Sequence, residues 1–114
     1  MATTHYSMNK SGAVIHDSLI SATSATDGAE VKTLDYLKKS VYVNVSVNTG
    51  AVTVTVEGSP TGAFAGEEVA LDTKTYTATT GTDIFPYTSS IPYMRVTTST
   101  QSTSTVSAVI TGGN

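Results

Sequence analysis

Two runs in the middle of the chain constrain its fold more than anything else in it. Val41-Tyr42-Val43-Asn44-Val45-Ser46-Val47 alternates apolar and mostly polar residues, and after Asn48-Thr49-Gly50 the pattern resumes as Ala51-Val52-Thr53-Val54-Thr55-Val56-Glu57. A period of two places every valine on one face of a pleated strand and every small polar residue on the other. The three residues between the runs read as a hairpin loop, with Gly50 at its left-handed position.

Shorter runs of the same kind flank this pair. Ala13-Val14-Ile15-His16 and Ser18-Leu19-Ile20-Ser21 make a first strand with a break at Asp17, followed by a turn at Ser24-Ala25-Thr26-Asp27-Gly28. Residues 29–34 read as a strand leading into a loop, although Val31, Leu34 and Leu37 recur at a spacing that also suits a helical turn or two. Glu57-Gly58-Ser59-Pro60-Thr61-Gly62 is a turn cluster. Val69-Ala70-Leu71 and Thr75-Tyr76-Thr77-Ala78 are two short strands parted by Asp72-Thr73-Lys74, and 79–83 is a further turn. Ile84, Phe85 and Tyr87 form a brief edge strand, because Pro86 cannot donate to a ladder. Tyr93–Thr97 and Thr105–Thr111 form a last pair around a turn at Gln101-Ser102-Thr103.

Seven to eight short strands with turn signals about every 8–12 residues predict an all-β fold. The expected form is an antiparallel two-sheet β-sandwich of jelly-roll or immunoglobulin-like topology. Residues 1–12 are polar and without period, and read as an N-terminal arm; residues 13–114 read as a single sandwich domain.

Several function classes fall away on composition. Without cysteine there is no disulfide framework and no thiolate metal site. A net charge of -3 argues against nucleic acid, whose phosphates demand a basic footprint. No apolar run is long enough to span a membrane, and the first residues lack the basic start and apolar stretch of a signal peptide. The expected partners therefore include neither nucleic acid nor membrane.

No arrangement of reactive side chains points to catalysis or to a cofactor. His5 and His16 lack a metal-ligand spacing, His5 falling on the arm and His16 at the core margin. His16-Asp17-Ser18 are consecutive, so a strand would turn neighbours to opposite faces, and no nucleophile elbow is present. Glu67, Glu68, Asp72 and Asp83 read as solvated loop charges rather than a glycosidase pair or an oxygen-ligand calcium loop. Tyr76, Tyr87 and Tyr93 are the candidates for a sugar-stacking platform.

Charge is the remaining clue. Only 13% of residues are charged, against about 25% in ordinary soluble domains, and serine and threonine fill the gap. Residues 40–56 and 96–114 carry no charge at all. Sheet edges ordinarily carry lysine, proline or bulges. Either these strands are central in their sheets, or a neighbouring copy or protein covers their edges. Arg95, alone among them, could hold a carboxylate or lie over Tyr93.

These patterns resemble small virion structural proteins of tailed bacteriophages. The matching stretches are Ser21–Val31, Ser40–Val45, Val52–Gly62, Ile91–Val96 and the final strand from Thr105 to Thr111. Within them lie a strand ending in an E-G-S-x-x-G turn and a Y-x-R-V strand, with Phe64 where the family commonly has tryptophan. The resemblance implies a non-enzymatic role, foremost as a capsid decoration (cement) protein on the outer surface of the virion. Its partner would then be the major capsid protein, its state a homo-oligomer with a trimer as the leading expectation, and its site of synthesis the host cytoplasm. Contacts are expected from Thr3, Thr4, His5, Tyr6, Met8 and Lys10 on the arm and from Tyr93 and Arg95. A head-fibre base, a tail component or a carbohydrate-binding attachment module are the alternatives.

Overall fold

The alternating runs do form strands, but the strands do not pair in the order in which the chain presents them. The computed structural model describes residues 14–113, so the arm and its expected contacts Thr3, Thr4, His5, Tyr6, Met8 and Lys10 lie outside the described residues. Eight strands are present: β1 (Val14–Ala22), β2 (Val31–Lys32), β3 (Lys38–Asn48), β4 (Ala51–Ser59), β5 (Val69–Thr77), β6 (Gly81–Tyr87), β7 (Tyr93–Ser99) and β8 (Ser104–Gly113). They make two four-stranded antiparallel sheets, ordered β1-β8-β3-β6 and β2-β7-β4-β5, with no helix among the described residues.

The pairings are nested. β4 meets β5, β3 meets β6, β2 meets β7 and β1 meets β8, as if one long hairpin folded at residues 60–68 had been rolled up. Rolling then brings β8 against β3 and β7 against β4. Of the two expected topologies this is the jelly roll.

Rolling corrects two of the expected pairings. Asn48-Thr49-Gly50 is not a hairpin loop, because β3 and β4 lie in different sheets; it is a corner where the chain crosses the sandwich. Nor does Gly50 need a left-handed backbone, since the described glycines with positive φ are Gly62 and Gly66. The corner is held instead by its neighbours: Thr49 N–H donates to the Thr103 carbonyl (3.1 Å) and Ala78 N–H to the Gly50 carbonyl (2.5 Å). By the same crossing β7 and β8 are consecutive but unpaired. The physical reason is plain. Two strands with one apolar face each can bury those faces side by side in one sheet or face to face across two, and period two serves both. Here Val41, Val43 and Val45 from one sheet join Val52, Val54 and Val56 from the other in a single core with Met94, Val96, Val106 and Ile110. Complete burial of such a side chain contributes roughly 1.5–3 kcal/mol.

Smaller revisions follow from backbone pairing outrunning side-chain pattern. β5 is one strand of nine residues that includes Asp72-Thr73-Lys74, because β4 pairs with it along its length, with one irregularity opposite Val56 and Glu57. The strand expected over 29–34 shrinks to Val31–Lys32, and Leu34 and Leu37 are exposed on a loop rather than on a helix. β1 keeps its length, with irregularities of register on both sides of Leu19, close to the expected break. β6 lies at a sheet edge as expected but begins at Gly81.

The uncharged stretches turn out to be central. β3, β4, β7 and β8 are the inner strands of the two sheets. The edges are guarded: β1 by Asp17 and its bulges, β2 by its brevity, β5 by Asp72 and Lys74, and β6 by Asp83 and Pro86. Of the two explanations for the missing charge, central placement is the one the fold provides.

The two open sides of the sandwich are closed differently. On the β1 side, residues 26–29 run along β7, with Gly28 N–H donating to the Val96 carbonyl (2.8 Å) and Thr98 N–H to the Thr26 carbonyl (2.9 Å). Buried Ser18 accepts from Val96 N–H (3.0 Å) and donates to the Ala29 carbonyl (3.0 Å), joining β1 to the opposite sheet. On the β5–β6 side the ties are side chains: the Tyr76 hydroxyl donates to Asp83 and the Tyr87 hydroxyl to Asp72, each at 2.5 Å. Tyr76 and Asp72 belong to one sheet and Asp83 and Tyr87 to the other, so the two bonds are reciprocal.

The backbone-sealed side leaves no room for a methyl group. A Cβ on Gly28 would stand 2.3 Å from the Val96 carbonyl oxygen, whereas one on Gly81 would meet nothing within 4 Å. Gly28→Ala is expected to lower unfolding free energy by about 2 kcal/mol or more and Gly81→Ala by less than about 0.5 kcal/mol. Urea titrations of the two variants measure the difference; equal midpoints would remove the close approach from this account.

Candidate interaction surfaces

Residues paired across a ladder share a face, so the registers lay out both outer surfaces. On the β2-β7-β4-β5 sheet, Thr75, Thr53 and Ser99 form one row and Thr73, Thr55 and Thr97 the next. The Thr53 and Thr75 hydroxyls lie 3.1 Å apart, and Thr73 donates to Thr55 at 3.4 Å. The row beyond holds Glu57 beside Arg95. Arg95 Nε donates to Glu57 Oε1 at 2.8 Å, its guanidinium sits 4.5 Å above the Phe64 ring, and Asp27 stands at 3.9 Å.

Arg95 therefore does hold a carboxylate, and it is the chain's own. The ring beneath it is Phe64 rather than Tyr93. Tyr93 lies on the same outer face, half-buried, with its ring against Gly62. Phe64 occupies the tryptophan position noted in the sequence and is buried, reaching back from the loop after β4. Ser59 shapes that loop by donating to the Ala63 carbonyl and accepting from Thr61 and Gly62 N–H.

The other outer face has a different character. Asp17, Val109, Tyr42 and Ile84 form one row across β1-β8-β3-β6. Ile15, Thr111, Ser40 and Pro86 form a second, and Ser107, Asn44 and Thr82 a third. Asp17, at the edge, is the one charge in these rows. Ile84 is 54% exposed and Tyr42 39% exposed. Sequence reading passed over Tyr42, although its place at an outward phase of the β3 alternation was the available signal.

The tyrosines expected to make a platform do not share one. Tyr76 is buried and points into the sandwich, Tyr87 is tied to Asp72, and Tyr93 faces outward from the other sheet. Of the carboxylates expected in loops, Glu67 and Glu68 do lie in the loop before β5, but Asp72 stands on β5 and Asp83 on β6, and all four have separate partners. Glu67 accepts from Thr61, Glu68 from Gly66 N–H, Asp72 from Tyr87, and Asp83 from Tyr76 and Lys74. Among the described residues no three His, Asp or Glu side chains gather in a way that could hold a metal ion.

Burial sets the electrostatics of the remaining groups. Burial lowers the His16 pKa more than nearby Asp17 raises it, and His16 Nε2 lies 3.2 Å from the Tyr36 hydroxyl. Lys39 is buried, which also lowers its pKa, and its Nζ donates to the Ser89 carbonyl at 2.7 Å. The hydrogen bonds from Tyr76 and Lys74 hold Asp83 below the usual carboxylate range. Tyr76 and Tyr87 are pushed up, first by burial and then by their aspartates, so both remain donors.

No family model and no curated protein sequence matches the chain. Solved structures do match its fold. The SPBc2 prophage-derived protein YomS superposes with a TM-score of 0.62 at 13% identity, covering 88% of this chain and 93% of that one. A Bacillus endospore appendage protein, from a family of disulfide-linked pili, gives 0.53 at 18% identity over 99% and 98%. The PBSX exported protein XepA gives 0.56 at 16% identity over 89% of this chain but only 36% of its own. At these identities the likeness establishes the β-sandwich and no activity.

The Arg95 pair and the Asp83 ties differ in how they should fail. Arg95 and Glu57 side chains are 13% and 15% exposed, so Arg95→Met strands a largely desolvated carboxylate. It should cost about 2–3 kcal/mol in urea, and adding Glu57→Gln should recover part of that. Asp83 has a depressed pKa in the fold, so its contribution is complete above the unfolded-state value and is lost as pH falls through the folded one. Wild-type stability should accordingly fall below the ordinary carboxylate range with a steeper slope than that of Asp83→Asn. Parallel pH profiles would contradict this assignment.

Proposed function

We propose that the chain is a non-enzymatic structural component of a bacteriophage virion, and within the virion a decoration protein on the outer surface of the capsid shell. The observation that carries this reading is the β1-β8-β3-β6 outer face. It presents Tyr42, Ile84 and Val109 in a row bordered by serine, threonine and asparagine, with Asp17 as the one charge of that row and Lys38 at the far end of β3. Such a surface suits a broad contact with low desolvation cost, because few charged groups must leave water. The polar residues around the row supply hydrogen bonds at its rim. The carboxylates and histidine that catalysis could recruit are dispersed or already partnered, which favours a binding role.

Fold likeness adds support, since YomS is prophage-derived and matches along nearly its full length. In this reading the partner is the major capsid protein, and the chain sits on the shell as a homo-oligomer, taken as a trimer. Thr3, Thr4, His5, Tyr6, Met8 and Lys10 then extend the contact along the shell, whereas Tyr93 and Arg95 face outward from the opposite sheet and take no part in a contact through the Tyr42 face. A head-fibre base or a tail component would use the same face against another partner.

Co-sedimentation with shells assembled from the cognate major capsid protein tests the proposal. The full chain should pellet with shells at moderate salt. Tyr42→Asp should weaken capture about tenfold or more while leaving the urea midpoint nearly unchanged, as expected for an exposed position central to an interface. Deleting residues 2–12 should weaken it further. Full-length protein that stays in the supernatant at every salt concentration rejects the decoration role.

A further inference from the structure

The strand β5 is only lightly attached to the sandwich over most of its length. Six of its first seven residues are exposed, and Leu71 alone among them is even half-buried. β5 pairs only with β4, and a cleft of about 340 Å³ among Gly58, Pro60, Val69, Leu71, Ile91 and Pro92 borders its start. Beyond the β4 ladder, two side-chain ties hold Val69–Thr75 to the opposite sheet. The Tyr87 hydroxyl donates to Asp72, and Lys74 Nζ lies 2.9 Å from Asp83.

The end of β5 is anchored far better. Tyr76 is buried and bonded to Asp83, Asn48 Nδ2 donates to the Tyr76 and Thr79 carbonyls at 3.1 and 3.0 Å, and Ala78 N–H bonds to Gly50. At the other end Gly66 has φ +96° with open space around it. A strap pinned in its middle thus runs between an unhindered left-handed glycine and a fixed corner.

We propose that Val69–Thr75 is a releasable strap, and that its release opens β4 to the same strap from a second copy of this chain. The strap covers Thr53–Gly58 of β4. Thr53-Val54-Thr55-Val56 has no charge, proline or glycine, so once uncovered it is an edge without the guards that the four native edges carry. The donor that fits that edge best is another β5. It brings the register, the Val56–Glu57 bulge match and the threonine rows that the chain's own β5 supplies. Strand exchange therefore replaces every ladder bond it breaks. The ladder, the packing of Leu71 on the core and the ties to β6 together set how often the strap lifts, and the ties are the part that substitution removes without touching β4.

The experiment combines a weakened latch with a covalent reporter. Tyr87→Phe and Lys74→Met together remove both ties while preserving side-chain bulk. In this cysteine-free chain, Thr55→Cys with Thr73→Cys places two thiols where hydroxyls now lie 3.4 Å apart. After incubation under reducing conditions and then oxidation, the parent latch should give intrachain disulfides, and the weakened latch should give covalent dimers that increase with protein concentration. Amide exchange in Val69–Thr75 should quicken about tenfold or more in the weakened latch, with β3 and β8 unchanged. Unchanged strap exchange overturns the proposal, as does exchange that rises equally in β3 and β8. Disulfides that remain intrachain at every concentration overturn it too.

Discussion

Everything in this molecule depends on each strand having one apolar face and no more. A single sheet of such strands would leave its valines in water, so two sheets must meet, and Val41, Val43 and Val45 bury against a layer that includes Val52, Val54 and Val56. In this chain the two sheets are built by crossing the sandwich at nearly every turn. The one link that stays within a sheet, from β4 to β5, is also where the rolled hairpin doubles back. Charge is placed by the same requirement. The inner strands have neighbours on both sides and are written mostly in valine and threonine, with Lys38 and Lys39 at the start of β3 and the Glu57–Arg95 pair as their charges, while Asp17, Asp72, Lys74 and Asp83 fall on strands with a free edge.

Much of this was legible in the sequence, but at the level of strands rather than of sheets. Alternation marked β3 and β4 to within three residues at each end, and Ser59-Pro60-Thr61-Gly62 marked the turn where the chain doubles back. The eventual partner of each strand was not legible. Tyr87 finds Asp72 fifteen positions away and Gly28 finds Val96 across most of the domain, and no local pattern encodes such distances. Asp72-Thr73-Lys74 read as a gap because polar residues break an apolar alternation; on an edge strand they continue the backbone ladder and guard it. Arg95 read either as a carboxylate holder or as a cation over Tyr93; its actual partners, Glu57 and the Phe64 ring, required the β4–β7 register and the loop after β4.

The two sides of the sandwich show how the choice of bond governs what can move. On the β1 side the closing bonds are largely backbone groups and buried Ser18, with Gly28 too tight for a methyl group. Opening it would strand buried donors and acceptors together, at about 1–3 kcal/mol for each. On the β5–β6 side the Tyr87–Asp72 and Lys74–Asp83 ties lie near solvent, which can solvate these groups when they part, and Tyr76 is the buried member. The second side therefore yields first under any stress that acts on both.

That asymmetry separates two kinds of association that composition alone would merge. The low charge of the chain first suggests uncovered strand edges, yet the fold guards every edge and leaves the uncharged residues facing outward from central strands. Contact through the Tyr42 face needs no backbone rearrangement and buries side chains only, so it suits a standing partner. Contact through β4 requires the strap to lift first, so its rate is set by the latch and its product is a further copy of the same ladder. A chain with charged outer faces and bare edges would associate in the opposite manner, through backbone and without selection by shape. Here the outward face can act while the edges stay shut, because the two are controlled by different residues.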